Sequence, residues 1–84
     1  MKLEVTGLEL QGFHGVLPEE EVGQTFLFDI SLDVGERGVN DNIDDAVDYR
    51  EVANVVREVN ARRFNLIEAL SSAVADAVYE RFQP

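Results

Sequence analysis

Side chains that can bind polar ligands or transfer protons occur at three places in this sequence. The first is residues 12–24, which contain the only histidine, His14, and three consecutive glutamates at positions 19–21. The other two places are Tyr49 and Glu68. Carboxylates and a phenol can bind polar ligands and transfer protons, so these residues are the candidates for a binding or acid–base site.

The composition excludes several other kinds of site. There is no cysteine, which rules out a disulfide framework, a thiol nucleophile and a thiolate metal site. One histidine cannot supply a two-His or three-His zinc site within one subunit. The net charge of −10 repels phosphate backbones, so we expect no nucleic-acid partner. No stretch approaches the ~20 apolar residues of a membrane span, and we expect a cytoplasmic protein.

Residues 12–24 connect two segments whose apolar alternation predicts strands. Residues 3–10 alternate with one change of phase at Thr6-Gly7, which predicts a β-bulge within a bent strand. The second segment alternates regularly, and its buried face is predicted to be Phe26, Phe28, Ile30, Leu32 and Val34. The two segments should pair as an antiparallel hairpin. A connection this long is unusual for a hairpin and is typical of a functional loop.

Two helices are predicted in the second half of the chain. Asp48 and Glu51 have the spacing of a capping box, and so have Asn65 and Glu68. The break between the helices is expected at residues 60–63. The apolar stripes that would face the core are Tyr49, Val52, Ala53, Val56 and Val59 in the first helix, and Ile67, Leu70, Val74, Ala77, Val78 and Phe82 in the second.

Each candidate group also has an ordinary structural explanation. Glu68 is explained by helix capping, and Tyr49 by its place on an apolar stripe. The glutamates at 19–21 are explained as a solvated loop. His14 lies between two glycines and is interpreted as a turn or packing residue, not as an acid or base.

The predicted order is strand, strand, helix, helix, which is an α+β architecture in one small domain. A two-stranded sheet is marginally stable alone, and both of its edges would be unpaired. We therefore expect further strands from neighbouring subunits, from a segment after residue 84, or from both.

Four stretches of the sequence together resemble the dihydroneopterin aldolase family. They follow one another in the family's order at close to its spacing and span nearly the whole chain. The stretches are GFHGVLPEE at 12–20, GQTF at 23–26, DDAVDYREV at 44–52 and FNLIEAL at 64–70.

This resemblance implies a tunnelling fold, in which ββαα is followed by another ββ pair. Subunits of that fold join their sheets into a barrel, as a tetramer ring that pairs into an octamer. The family carries a catalytic lysine on its C-terminal strand, whereas the only lysine here is Lys2. We therefore expect residues 1–84 to be a single dihydroneopterin aldolase-like domain that is incomplete at its C-terminus.

The activity implied by the resemblance is a retro-aldol cleavage in folate biosynthesis. It converts 7,8-dihydroneopterin into 6-hydroxymethyl-7,8-dihydropterin and glycolaldehyde, without a metal, a cofactor or a Schiff base. Epimerase activity at the 2′ carbon is expected beside it. Two alternatives stay open, a dihydroneopterin triphosphate epimerase and a non-catalytic pterin-binding ring subunit.

The family's site residues carry over to positions of this sequence. Glu68 matches the glutamate that anchors the pterin, whose 2-amino and N3 hydrogens a carboxylate accepts in bidentate fashion. Tyr49 matches a tyrosine that reaches in from the neighbouring subunit. Glu20 matches the loop glutamate near the reacting side chain of the substrate. Glu19 is the alternative, because the stretch between Glu20 and Gly23 is one residue shorter than in the family's usual pattern. The positions expected to contribute backbone groups and apolar contacts are Val47, Leu66 and Ile67.

Overall fold

The hairpin and the two helices are confirmed by a computed structural model, which describes residues 2–16, 23–35 and 47–82. The elements are β1 (Lys2–Gly12), β2 (Gln24–Asp33), α1 (Tyr49–Asn60) and α2 (Ile67–Phe82). Among the described residues the sheet consists of β1 and β2, paired antiparallel, so each strand has one outer edge without a partner strand.

The expected β-bulge is present in β1. The register shifts between Val5 and Leu8, where Thr6 and Gly7 lie opposite Asp29. Gly7 has φ +69°, a left-handed conformation that suits glycine, and its amide donates to Asp29 Oδ1 at 2.8 Å. Because one residue is inserted, the two phases of β1 fall on the same face of the sheet. Leu3, Val5, Leu8 and Leu10 all pack against the core.

The helix α1 begins at the predicted cap. Asp48 has an extended backbone, and its Oδ1 accepts the amide hydrogen of Arg50 at 2.8 Å. In the predicted capping box, Glu51 would accept from the backbone amide of Asp48. Instead, the Glu51 carboxylate accepts from the guanidinium of Arg81 in α2 at 3.1 Å. This ion pair joins the start of α1 to the end of α2.

The predicted start of α2 is wrong by one residue, since the expected cap was Asn65. The carbonyl of Leu66 accepts the amide hydrogens of Ala69 at 3.1 Å and Leu70 at 3.2 Å, so Leu66 precedes the first helical residue. Glu68 is therefore the second residue of α2, and Asn65 lies outside the capping position. Leucine has no side-chain acceptor, which leaves the start of α2 without the expected side-chain cap.

The core lies between the hairpin and the helices. Its most deeply buried side chains are Val52 and Val56 of α1 and Leu70 of α2. The helix α1 packs against β1 and α2. A groove of about 540 Å³ remains between β2 and α2. Neither described helix has the length and apolar content needed to cross a membrane.

The cap of α1 predicts a pH-dependent contribution to stability. The hydrogen bonds donated by the Arg50 guanidinium and the Arg50 amide hold the pKa of Asp48 below its ordinary 3.8. A carboxyl whose pKa is lowered by folding stabilises the protein above its unfolded pKa and loses that contribution as the pH falls through the folded value. We expect Asp48→Ala to lower the free energy of unfolding at pH 7, and the difference from the parent protein to close below pH 3.8.

Urea unfolding at pH 7 and below pH 3.8 measures this difference. Asp76→Ala is the matched control, because it removes an exposed aspartate from the interior of α2 and should lower stability at neither pH. An equal loss for Asp48→Ala at both pH values would contradict the assigned capping role.

Candidate functional site

A cavity of about 380 Å³ lies where the turn after β1 meets the start of α2. This volume is within the range of small-molecule sites, roughly 300–1,000 Å³. Its lining consists of His14, Gly15 and Val16 from the turn, Gln24 and Phe26 from β2, and Asn65, Leu66, Ile67 and Glu68 at the start of α2. Three of the predicted substrate-binding residues, Leu66, Ile67 and Glu68, are therefore brought together in one cavity.

The start of α2 presents these three side chains to the cavity. Leu66 is 57% exposed and Ile67 is 58% exposed, and Glu68 is also exposed. The prediction that Ile67 belongs to the buried stripe is wrong, because the helix begins at this residue and its first turn projects beyond the core. The carboxylate of Glu68 lies in the first turn of α2, where the helix dipole favours a negative charge. Apolar side chains beside one carboxylate can bind a flat ring that has a polar N–H edge.

The turn that forms the opposite wall is tied to the connection before α2. Gly15 donates its amide hydrogen to the Phe64 carbonyl at 2.8 Å, and Phe64 donates its own amide hydrogen to His14 Nδ1 at 3.2 Å. His14 is buried and its ring contacts Phe26 edge-on at 4.9 Å. The interpretation of His14 as a packing residue is confirmed.

Asn60 is the structural residue that the sequence reasoning missed. It is 6% exposed, donates through Nδ2 to the Gln11 carbonyl at 2.8 Å, and places Oδ1 2.7 Å from His14 Nε2. Sequence reasoning assigned Asn60 to the break between the helices. The available signal was its spacing, since it follows Val56 by four residues and so continues the buried stripe of α1.

The other two described site candidates lie away from this cavity. Tyr49 is the first residue of α1 and is 60% exposed, so its predicted place on the buried stripe is wrong. Val47 is half-buried and packs against the core. Asn60, at the other end of the 12-residue α1, is about 16 Å from Tyr49 along the helix axis. A site that uses both Tyr49 and the cavity would therefore take the tyrosine from another copy of the chain.

The loop glutamates lie outside the described residues. This applies to Glu20 and to its alternative Glu19, whose roles stay predictions. Within the described ranges, His, Asp and Glu side chains form no cluster of three that could hold a metal ion.

The groove between β2 and α2 is larger than the cavity but is a weaker candidate. Half of its lining residues are aliphatic residues of β2 and α2, and the lining also includes Asp29 and Asp33. Its described lining contains none of the candidate site residues that the sequence predicted. The smaller cavity combines a carboxylate, a helix start and apolar contacts, and is the better candidate for a ligand site.

Comparisons with known proteins show the family to which this chain belongs. The family described as FolB, dihydroneopterin aldolase, matches residues 3–84. A dihydroneopterin aldolase of Bacillus subtilis is 34% identical, and the match covers 99% of this chain and 72% of the relative. Dihydroneopterin aldolase 2 of Arabidopsis thaliana is 37% identical over 94% of this chain and 63% of the relative. The chain belongs to the dihydroneopterin aldolase family.

Two crystal structures have the same fold over nearly the whole chain. A FolB protein of Vibrio cholerae is 30% identical with a TM-score of 0.89, and the match covers 99% of this chain and 74% of that one. The dihydroneopterin aldolase of E. coli, in complex with neopterin, is 26% identical with a TM-score of 0.87 and matches 98% of this chain and 75% of its own. This chain thus spans between 63% and 75% of the length of these four relatives.

Proposed function

We propose that this protein is a cytoplasmic dihydroneopterin aldolase of folate biosynthesis. It would cleave 7,8-dihydroneopterin by a metal-free retro-aldol reaction to 6-hydroxymethyl-7,8-dihydropterin and glycolaldehyde, and would also epimerise the 2′ carbon. The observation that carries the proposal is the exposed carboxylate of Glu68 beside Leu66 and Ile67 at one cavity. The structural relative in complex with neopterin supports a pterin as the ligand.

Glu68 is proposed as the anchor of the pterin ring. The 2-amino group and N3–H of a pterin form a pair of donors at guanidine-like spacing, which one carboxylate can accept together. Leu66 and Ile67 offer apolar surface for the faces of the ring. Since Glu68 holds the edge of the ring that is remote from the C6 side chain, it orients the substrate and does not handle the reacting protons.

Tyr49 and Glu20 are proposed for the reacting side of the substrate. A phenol can stack on the ring and relay a proton to or from the side-chain hydroxyl. The 16 Å length of α1 (about 1.5 Å per residue) separates Tyr49 from the cavity of its own chain. The proposed site therefore forms between subunits of a homo-oligomer, a tetramer or an octamer, whose sheets continue across the strand edges that have no partner among the described residues. Val47, two residues before Tyr49, is proposed to contribute a backbone group or an apolar contact to the pterin.

Replacing the anchor tests the assigned ligand orientation. We expect Glu68→Gln to weaken neopterin binding by about tenfold to a hundredfold, because a charged bidentate acceptor is replaced by a neutral amide. Pterin fluorescence titration of the intact protein measures the dissociation constant. The matched control is Glu80→Gln, an exposed glutamate in the last turns of the same helix. Equal affinities for Glu68→Gln and Glu80→Gln would remove Glu68 from the site.

Tyr49 tests whether the site is shared between subunits. We expect Tyr49→Phe to keep neopterin affinity but slow turnover by about a hundredfold, since the ring is retained and the proton relay is lost. When Tyr49→Phe and Glu68→Gln subunits are co-expressed, random assortment in a shared-site ring gives about one intact site in four. Turnover of the mixed oligomer should then approach a quarter of the parent rate. Absence of recovery would contradict the shared site.

Product analysis separates the proposed function from its alternatives. The intact expressed protein is given 7,8-dihydroneopterin and, in a separate assay, its triphosphate. The products are separated, and the mass of the protein is recorded beside the assay. We expect glycolaldehyde and 6-hydroxymethyl-7,8-dihydropterin. Turnover only of the triphosphate would indicate the epimerase, and tight pterin binding without turnover would indicate a binding subunit.

A further inference from the structure

A buried polar network lies against the cavity, and the proposed reaction does not use it. Its members are His14, which is 4% exposed, Asn60, which is 6% exposed, and the backbone of Gln11 and Phe64. These groups come from the turn after β1, the last residue of α1, the end of β1 and the connection to α2. One network therefore joins four of the described segments that meet at this end of the molecule.

The hydrogen-bond partners determine the tautomer of His14. A carbonyl oxygen only accepts, so Asn60 presents its NH₂ group to Gln11 and its oxygen to His14 Nε2, which must carry a hydrogen. The backbone amide of Phe64 only donates, so His14 Nδ1 must be unprotonated. Two independent partners thus require the same neutral tautomer, with its hydrogen on Nε2.

This arrangement leaves no nitrogen of His14 for the substrate. Nε2 donates to Asn60 at 2.7 Å and Nδ1 accepts from Phe64 at 3.2 Å. A general acid or base must reach the proton that it transfers. His14 therefore lines the cavity without serving as its acid or base.

The network instead connects two walls of the cavity. One wall is the turn at 14–16, and the other begins at Asn65, directly after Phe64. Phe64 is bonded to the turn twice, through its amide to the His14 ring and through its carbonyl to the Gly15 amide at 2.8 Å. Without the imidazole, only the second of these two bonds between Phe64 and the turn would remain. The oxygen of Asn60 would lose its partner in a buried place, and the amide of Phe64 would lose its partner in a part-buried one.

Packing holds the imidazole in a single position. Its ring contacts Phe26 at 4.9 Å and Phe64 at 5.7 Å between centroids. A Cβ on Gly12 would lie 2.7 Å from His14 Cδ2 and Nε2 and 3.0 Å from Asn60 Oδ1. Glycine at position 12 is therefore required for the ring and its partner to occupy their observed places.

We propose that His14 is a positioning residue of the ligand site. As the neutral Nε2–H tautomer, it holds the turn at 14–16 at the distance from the start of α2 that a pterin ring requires. The identity of the ligand rests on the proposed function, whereas the position of the two walls does not.

The tautomer is tested by nuclear magnetic resonance on the intact ¹⁵N-labelled protein. His14 is the only histidine, so one set of ring correlations is expected. At neutral pH we expect a protonated Nε2 and an unprotonated Nδ1, before and after neopterin is added. An Nδ1–H tautomer, or a doubly protonated ring, would overturn the proposal.

Removal of the ring tests the positioning role. We expect His14→Ala to weaken neopterin binding about tenfold, and to shift the amide resonances of Gly15, Val16 and Glu68 on both walls. Val78→Ala is the control, because it truncates a buried residue of α2 distant from the cavity and should lower stability without changing the dissociation constant. Equal neopterin affinity in the two folded variants would overturn the proposal.

Two further variants decide the outcome if His14→Ala does not fold. In His14→Asn the side-chain oxygen lies two bonds from Cβ, as Nδ1 does, so it can accept from Phe64 but cannot reach Asn60. We expect its affinity for neopterin to be reduced by several-fold, less than tenfold. Gly12→Ala keeps the imidazole but displaces it, and should shift the same wall amides and weaken binding. If the amide resonances of Gly15, Val16 and Glu68 are unchanged in both variants, the proposal is overturned.

These measurements separate the inference from the proposed function. If the intact protein fails to bind neopterin, the proposed function fails. Two measurements then still decide whether His14 positions the cavity. They are the tautomer of His14 and the changes in the amide resonances of the two walls in His14→Asn and Gly12→Ala. If neopterin binds and these shifts are absent, the positioning role fails while the proposed function stands.

Discussion

The inserted residue in β1 is the constraint on which the rest of this domain depends. A strand of constant phase would turn either Leu3 and Val5 or Leu8 and Leu10 away from the helices. Thr6 and Gly7 opposite Asp29 keep all four leucine and valine side chains on one face, which gives α1 a continuous apolar surface along the whole strand. Without that surface the hairpin would have too little apolar area to hold two helices, since a two-stranded sheet is marginal on its own.

The packing of α1 on this surface also separates the candidate site into two parts. One end of α1 carries the exposed Tyr49, and the other end carries the buried Asn60 beside the cavity. A helix is rigid over this length, so the two parts cannot meet within one chain. Within the described part of the chain, the unpartnered strand edges and the distance of Tyr49 from the cavity are two consequences of the same architecture.

The start of α2 departs from local rules where the cavity lies. Asn65 is a good capping residue, yet the helix begins after Leu66, whose side chain cannot cap it. As a consequence, the side chains of Leu66 and Ile67 are exposed next to the Glu68 carboxylate. Departures of this kind are expected at functional sites, where ligand binding takes precedence over local stability. The buried network of His14 and Asn60 supplies the fixed backbone that such an exposed segment needs.

The sequence by itself determined the order of elements, the hairpin with its bulge, the cap at Asp48 and the family. The structural features are local, since alternation, a glycine at a change of phase and a capping residue act over a few neighbouring positions, whereas the family follows from four short stretches in order along the chain. Only the tertiary structure decided that Asn60 is a buried partner of His14, that Ile67 and Tyr49 are exposed, and that Leu66, Ile67 and Glu68 share a cavity with the turn at 14–16. The reason is that these properties depend on contacts between residues about fifty positions apart, such as Gln11 with Asn60 and His14 with Phe64. No local pattern encodes which polar side chain will meet which backbone group.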